Sequence, residues 1–497
     1  MTDHGHFYAG RDVAGTSGRT GDLFEPATGE RLGSVALANA AEVGAATAAA
    51  TRGFAAWSQV TPTRRARILA RFLRLVEERS DSIGTLLARE HGKTLPDAKA
   101  EIQRGLEVIE FAIGIPHLLK GTFSDQVATG MDSYAFRQPL GVIAGISPFN
   151  FPAMIPMWMF GVAIAAGNCV VLKPSERDPG VPLQLARIML EAGAPAGVLS
   201  VVNGDKQAVD ALIADPLVQA ISFVGSSAIA ESIYASAAAA GKRVQALGGA
   251  KNHLIVMPDA DLDLAVDNLI GAAYGSAGER CMAVSVAVPV GEETAERLVA
   301  ALRSRVAALR IGPSLSPEAD FGPLISGPHR ERVVGFVERA VAAGADLVVD
   351  GRGVQVPGHP GGYYLGGCLF DRVTPAMEIW REEVFGPVLS VVRVAGLEEA
   401  LQLADSHQYG NGVALFTRSG RLARDFVRRV QVGMVGVNVP LPVPLASYSF
   451  GGWKRSAYGG FHQHGVEGLN FCTKLKNVMV RWPEEPEGAV FAMPTPG

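Results

Sequence analysis

The segment "GVIAGISPFNFPAMIPMWMFGVAIAAGNCVVLKPSE", residues 141–176, decides the fold. From Gly141 to Leu172 it carries no charged residue, and by length alone it would span a bilayer. Pro148, Pro152 and Pro156 interrupt it, with Asn150 among them and Asn168 near its end. Proline has no N–H to give a helix, so one unbroken membrane helix is not expected. The stretch instead divides into a strand "GVIAGIS", a loop, a buried helix "PAMIPMWMFGVAIAAG" and a second strand "CVVLKPS". Two continuously apolar strands joined by a helix imply a parallel pair covered on both faces.

The alternation continues outward. A helix "VPLQLARIMLEAG", a strand "VLSVVNG", a helix "KQAVDALIAD", a strand "VQAISFVGS" and a helix "SAIAESIYASAAAAG" carry it to residue 247. A second alternating region runs from about 253 to 440, with "HLIVMPD", a helix over 261–277, "SVAVPV" and a helix over 291–309. Upstream, residues 35–58 are expected to be helical. "PTRRARILARFLRLVEERSDSIGTLLAREHGK" is expected to form one long amphipathic helix, and "DAKAEIQRGLEVIEFAIGIPHLL" another that stops near Pro116. Residues 122–140 are polar and β-prone and fit a hairpin. "GVNVP" and "FCTKLKNVMVRW" are expected strands, and "PEEPEGAVFAMPTPG" an arm or a disordered tail. The expectation is an α/β protein.

A chain of 497 residues exceeds one hydrophobic core, so two or three domains are expected. With 48% hydrophobic and 19% charged residues, the composition is that of an ordinary folded protein. The net charge of −4 and the lack of a basic block argue against nucleic acid. The four cysteines form no CxxC pair and show no metal spacing, so neither a disulfide scaffold nor a metal site is expected. "MTDHGHFYAGRDVAG" has no apolar core of the signal-peptide kind, and a reducing cytoplasm is the expected compartment.

Open parallel sheets bind ligands at the carboxyl ends of their strands. Four such junctions carry suggestive residues. "FVGSS" ends a strand and opens a helix. Gly225 admits close backbone approach and Ser226 offers a hydroxyl, suiting either a pyrophosphate or an ordinary helix cap. In "KPSE", Lys173 and Glu176 suit a ribose diol, with the carboxylate repelling a 2′-phosphate, or a surface ion pair beside a turn proline. In "SPFNFP", Asn150 suits an oxyanion donor or a loop-satisfying amide. In "AYGSAGERCMAVS", Cys281 stands among small residues. Its neighbour Arg280 either favours a thiolate or holds something negative beside the sulfur, and a plain buried thiol is the alternative. No GxGxxG occurs.

"SPFNFP", "KPSE", "FVGSS", "GERCMA", "EEVFGPV" and "YGNGVALFT" together resemble, in order and spacing, the aldehyde dehydrogenase superfamily, across nearly the whole chain. That resemblance implies a variant dinucleotide fold that binds NAD. It makes Cys281 the nucleophile, and Asn150 with the Cys281 N–H the oxyanion hole. Lys173 and Glu176 become adenosine-ribose contacts, and Ser226, beside Gly225, the pyrophosphate contact. Glu383 becomes the nicotinamide-ribose contact with Phe385 beside the ring, and Ser147, Phe149 and Arg177 line the groove.

One stretch departs from the family. Most members carry "ELGGK", whose glutamate activates the deacylating water. This chain has "RVQALGGAKNH", which, anchored on Lys251–Asn252, puts Leu247 there. A thiol needs less help than water, since its pKa is about 8.5 against about 15.7, so coenzyme A is the expected acyl acceptor. "VQALGGAKNH", "GERCMA" and "GVNVPLPVPL" are similar to the CoA-acylating, methylmalonate-semialdehyde dehydrogenase branch. That branch turns malonate-type semialdehydes into acetyl-CoA or propionyl-CoA with loss of CO2. Such a substrate needs a cation, and the resemblance points to Arg104 and Arg280; the alternative for Arg104 is a solvated helix residue. Glu279 is a minor alternative base. His253, His462 and His464 are expected to be structural, and Cys169, Cys368 and Cys472 inert.

The expected organisation is an NAD-binding domain from 1–121 and 141–246, a catalytic domain from 247–440, and an oligomerisation β-flap with C-terminal arm from 122–140 and 441–497. A homotetramer or homodimer is expected, with no membrane partner. The rival functions are a hydrolytic aldehyde dehydrogenase, an acylating enzyme for another semialdehyde such as succinate semialdehyde, and a catalytically silent binding protein.

Overall fold

A computed structural model describes residues 2–482; the expected tail at 483–497 lies outside the described residues. The segment at 141–176 folds as strand Val142–Ile146, helix Met154–Ala166 and strand Cys169–Lys173. Every residue of that helix is buried, as an all-round apolar helix requires. Gly167 ends it in the left-handed region (φ +104°), and the Arg65 guanidinium lies 2.9 Å from where a Cβ would stand. Among the described residues, no helix is long and apolar enough to cross a membrane.

The first sheet has eight strands. Its parallel centre runs Arg243–Leu247, Val218–Val224, Val142–Ile146, Cys169–Lys173, Leu199–Val201. Sequence order proceeds outward from Val142–Ile146 on one side and then restarts on the other with Val218–Val224. The crevice between those two strands is therefore the topological switch point, where such sheets bind ligands. The second sheet has seven strands, ordered Asp346–Val349, Cys368–Asp371, Val388–Val391, Val284–Pro289, Asn252–Val256, Gly412–Phe416, Met434–Val437. Each sheet sits in its own apolar core.

Four expectations need correction. Residues 35–58 are not one helix. Glu30–Ala36 is a strand, and the helix starts at Ala40, where Asn39 caps the N–H groups of Ala41 and Glu42 and its own N–H meets the Glu42 carboxylate. The long helix is two, Pro62–Glu78 and Ser80–His91, divided at Arg79 (φ −108°, ψ 11°). Its buried positions, Leu69, Phe72, Val76, Ile83 and Leu87, keep helical spacing across the break, so periodicity did not reveal it. Phe471 and Cys472 close the helix Gly465–Cys472 and do not begin the strand Thr473–Arg481. Finally, 441–497 is not all flap. Ala446, Phe450, Leu469 and Phe471 are buried in the first core, and Ala457–Tyr458 pairs with the strand Arg243–Leu247. Among the described residues of that segment, only Thr473–Arg481 joins the hairpin strands Met131–Pro139 and Thr122–Ala128 in a three-stranded sheet.

Candidate active site

Cys281 lies on the loop between the turn Gly275–Gly278 and the strand Val284–Pro289. The approach is strained. Ser276 and Ala277 adopt φ +54° and +52°, conformations unusual for non-glycine residues. Gly278 follows at φ +73°, where a Cβ would stand 2.2 Å from the Gly386 carbonyl oxygen. The cysteine loop is thus pressed against the "EEVFGPV" loop. The Cys281 carbonyl accepts from Asn252 Nδ2 at 2.9 Å and Asn411 Nδ2 at 3.2 Å, which fixes the residue's backbone.

The half-buried thiol lines a small cavity with Asn252, Arg280, Glu383 and Phe385. Burial, and next the Glu383 carboxylate, push its pKa up to about 12, while backbone N–H groups and Arg280 pull weakly the other way. Arg280 lowers the thiol pKa slightly and is itself paired, its Nη2 binding Asp97 at 2.6 Å. Glu383 accepts from the Ala250 N–H at 3.0 Å, and burial raises its pKa to about 7. Leu247 is buried at its strand end, with its carbonyl bound to the Gly225 N–H, and no carboxylate stands in the 243–251 segment.

Asn150 follows the strand Val142–Ile146 and is buried. Its Nδ2 donates to the Glu279 carbonyl at 3.0 Å, two residues before the cysteine, leaving a second amide hydrogen. Its own carbonyl accepts from Lys93 Nζ at 2.7 Å, and Lys93 also binds Glu101 at 2.7 Å. Glu101 in turn accepts from the N–H groups of Ala153 (2.7 Å) and Met154 (3.1 Å), at the head of the buried helix. The side chains of Lys93 and Glu101 are 0% and 1% exposed. Glu279 is buried, its pKa raised to about 8 by desolvation, and its carboxylate turns to the Ile325 N–H at 3.2 Å.

The helix Leu95–Ile113 runs beside this site. Asp97, Glu101 and Arg104 follow at i, i+4 and i+7, one face of a helix. Asp97 holds Arg280, Glu101 holds the Asn150 loop, and Arg104 stands on the same face about 10 Å along the axis from Asp97. Arg104 is half-buried and binds Glu107 at 2.5 Å.

The residues expected to hold the cofactor collect at the switch point and the neighbouring strand end. Ser147 follows Val142–Ile146, and its buried Oγ has no partner. Gly225 and Ser226 follow Val218–Val224. Ser226 heads the helix Ser227–Ala239, with a hydroxyl that makes no cap bond. Lys173 ends Cys169–Lys173, its Nζ 3.4 Å from Glu176. These free hydroxyls, the helix N-terminus and the Lys–Glu pair fit a dinucleotide. Arg177 lies over the Phe149 ring at 5.5 Å, and that ring meets Phe385 edge-on at 5.9 Å. Phe385 itself has φ +58°, and its carbonyl lies 2.7 Å from His329 Nε2. Among the described residues, no group of His, Cys, Asp or Glu is placed to hold a metal ion.

Sequence reasoning missed Asp97, Lys93, Glu101, Asn252 and Asn411. The available signal was the charged series Asp97, Glu101, Arg104 at helical spacing, with Glu101 flanked by the apolar positions Ala98, Ile102 and Gly105.

The aldehyde dehydrogenase family model matches residues 13–478. A malonate-semialdehyde dehydrogenase of Pseudomonas aeruginosa is 53% identical over 492 residues, covering 99% of each chain. Malonate-semialdehyde dehydrogenase 2 of Geobacillus thermodenitrificans is 47% identical, covering 96% of this chain and 98% of its own. The crystal structure of methylmalonate-semialdehyde dehydrogenase from Oceanimonas doudoroffii superposes with TM-score 0.96 at 52% identity, covering 98% of this chain and 99% of that one. A Sinorhizobium meliloti protein crystallised with NAD superposes with TM-score 0.97 at 55% identity, over 98% and 99% of the two chains. The chain belongs to the aldehyde dehydrogenase family.

Proposed function

We propose that this chain oxidises malonate semialdehyde or its methyl-branched homologue with NAD and passes the acyl group to coenzyme A, with loss of CO2. The observation that carries this reading is the Cys281 site. A thiol shares its cavity with Arg280, the Asp97–Glu101–Arg104 helix face runs alongside, and no carboxylate occupies the 243–251 segment. The names of the Pseudomonas and Oceanimonas relatives support the substrate class.

In this reading the Cys281 sulfur adds to the aldehyde carbon as its thiol proton passes to water. The free Asn150 amide hydrogen and the Cys281 N–H hold the resulting oxyanion. Losing one such donor costs about 3 kcal/mol of barrier. NAD, when bound, accepts the hydride as the carbonyl re-forms, leaving a thioester on Cys281. Ser147, Gly225, Ser226, Lys173 and Glu176 hold the dinucleotide, with Phe149, Arg177, Glu383 and Phe385 at its nicotinamide end. Arg280 and Arg104 exchange their carboxylate partners, Asp97 and Glu107, for the substrate carboxylate. That carboxylate, now β to a thioester, leaves as CO2 while the thioester carbonyl takes up the electrons and a proton replaces it. The CoA thiol then displaces Cys281 and gives acetyl-CoA or propionyl-CoA.

One observation favours the hydrolytic alternative: Glu383, at about 7, lines the same cavity as the sulfur and has the pKa of a general base. NADH formation with and without CoA decides between them. The acylating reading requires turnover to depend on CoA, and equal rates without it would overturn that reading. The exposed side chains of Leu475, Met479 and Phe123 on the three-stranded sheet support self-association through that sheet.

A further inference from the structure

His464 is 2% exposed and holds φ +69°, ψ 173°, a backbone region that essentially only glycine occupies. A sequence free to choose would put glycine there, and the next residue, Gly465, is one (φ +54°). The imidazole is what the strain keeps in place. Its ring meets the Trp158 indole edge-on at 4.5 Å and lies 5.8 Å from the Phe450 ring. Both His464 Nδ1 and Trp158 Nε1 are buried without a hydrogen-bond partner. Buried polar atoms are nearly always satisfied, and two orphans on touching rings point to a missing acceptor.

The surroundings say what kind of acceptor. Trp158 is on the helix Met154–Ala166, directly after the Asn150 loop. That helix packs on Leu95–Ile113 next to Arg104: a Cβ on Gly105 would stand 2.1 Å from Met157 Cε and 3.2 Å from Met154 Cα. The Arg104 charge acts on His464, and burial with that charge pushes the imidazole down to about 3, so the ring stays neutral. A neutral ring has one N–H to donate, and a protonated one beside Arg104 would be repelled.

We propose that His464 and Trp158 are specificity-determining residues: their Nδ1–H and Nε1–H receive the carboxylate that Arg104 attracts, and so select an acidic semialdehyde over a neutral aldehyde. This rests on the substrate reading above and extends it to residues outside the arginine pair.

The test is kcat/KM for malonate semialdehyde and for propanal, of the same chain length without the acid, at saturating NAD and CoA. His464→Gly relieves the backbone and removes the donor. It is expected to lose roughly tenfold or more on malonate semialdehyde, mostly in KM, and to leave propanal unchanged. Trp158→Phe, which keeps an aromatic ring, is expected to fall in the same direction. His464→Asn, which keeps an N–H on a smaller side chain, is expected to restore part of the preference that His464→Gly loses. Equal losses on both aldehydes, or an intact preference in both His464→Gly and Trp158→Phe, would overturn the inference. If the glycine variant does not fold, Trp158→Phe alone decides. A parent enzyme with no preference for the acid would instead sink the substrate reading, and this inference with it.

Discussion

Lys93→Met tests how Asn150, the proposed oxyanion donor, is held. Lys93 Nζ bridges Glu101 Oε2 and the Asn150 carbonyl at 2.7 Å each, and stands 4.4 Å from the Phe151 ring centroid. Removing it leaves the Glu101 carboxylate buried with only two backbone N–H groups, and breaking such a pair costs about 3–5 kcal/mol. The pH sign follows from Glu101, whose pKa burial already raises. A carboxyl that binds its proton more tightly folded than unfolded loses stability as pH rises through that window. The lysine loss raises the pKa further, so the fall in urea midpoint should be largest at neutral and alkaline pH and should ease as the buffer turns acidic. Lys93→Met/Glu101→Gln, with no buried charge, should recover part of it. Catalysis supplies the second readout. A displacement of the Asn150 loop by about 1 Å costs on the order of 10²-fold in rate, close to the cost of deleting the donor. Lys93→Met and Asn150→Ala should then be non-additive: the double variant should be little slower than Asn150→Ala alone in NADH formation. Additive losses would refute the idea that Lys93 acts through Asn150.

Three further outcomes follow from the same geometry. Iodoacetamide should label Cys281 slowly at neutral pH in the NAD-free enzyme, with the rate still climbing well above pH 9, and Glu383→Gln should accelerate labelling by removing a charge that opposes the thiolate; peptide mass spectrometry reads both. Glu176→Gln should raise NADP use relative to NAD by roughly tenfold, about 1.4 kcal/mol of like-charge repulsion at a side chain that solvent partly screens; unchanged ratios of kcat/KM would place the ribose elsewhere. Leu475→Arg/Met479→Arg, on two exposed apolar side chains (56% and 57%), should lower the mass measured by light scattering without changing the far-ultraviolet spectrum.

The parallel sheets were legible because their strands are continuous apolar runs separated by helices of normal length. The cysteine loop, the Asn150 loop and the strand-end serines were legible as small or polar residues at strand ends. The break at Arg79 was not, because packing periodicity runs through it. Lys93 and Glu101 were not, because a sequence shows a lysine and a glutamate without showing that both lie in the interior and share one loop. The tie between Arg280 and Asp97 was not, because the two stand 183 residues apart in the chain. His464 was expected to be structural. Its backbone angle and its orphaned nitrogen, which no pattern of residues reveals, make it a candidate for selecting substrate.

The most direct measurement is the mass of Cys281 after one turnover. Enzyme, NAD and malonate semialdehyde are mixed without CoA, quenched in acid and digested. The account predicts one NADH per site, an acetyl thioester on the peptide containing Cys281, and its discharge as acetyl-CoA when CoA is added before the quench. Continued NADH production without CoA, with unmodified Cys281 and free acid as product, would contradict it.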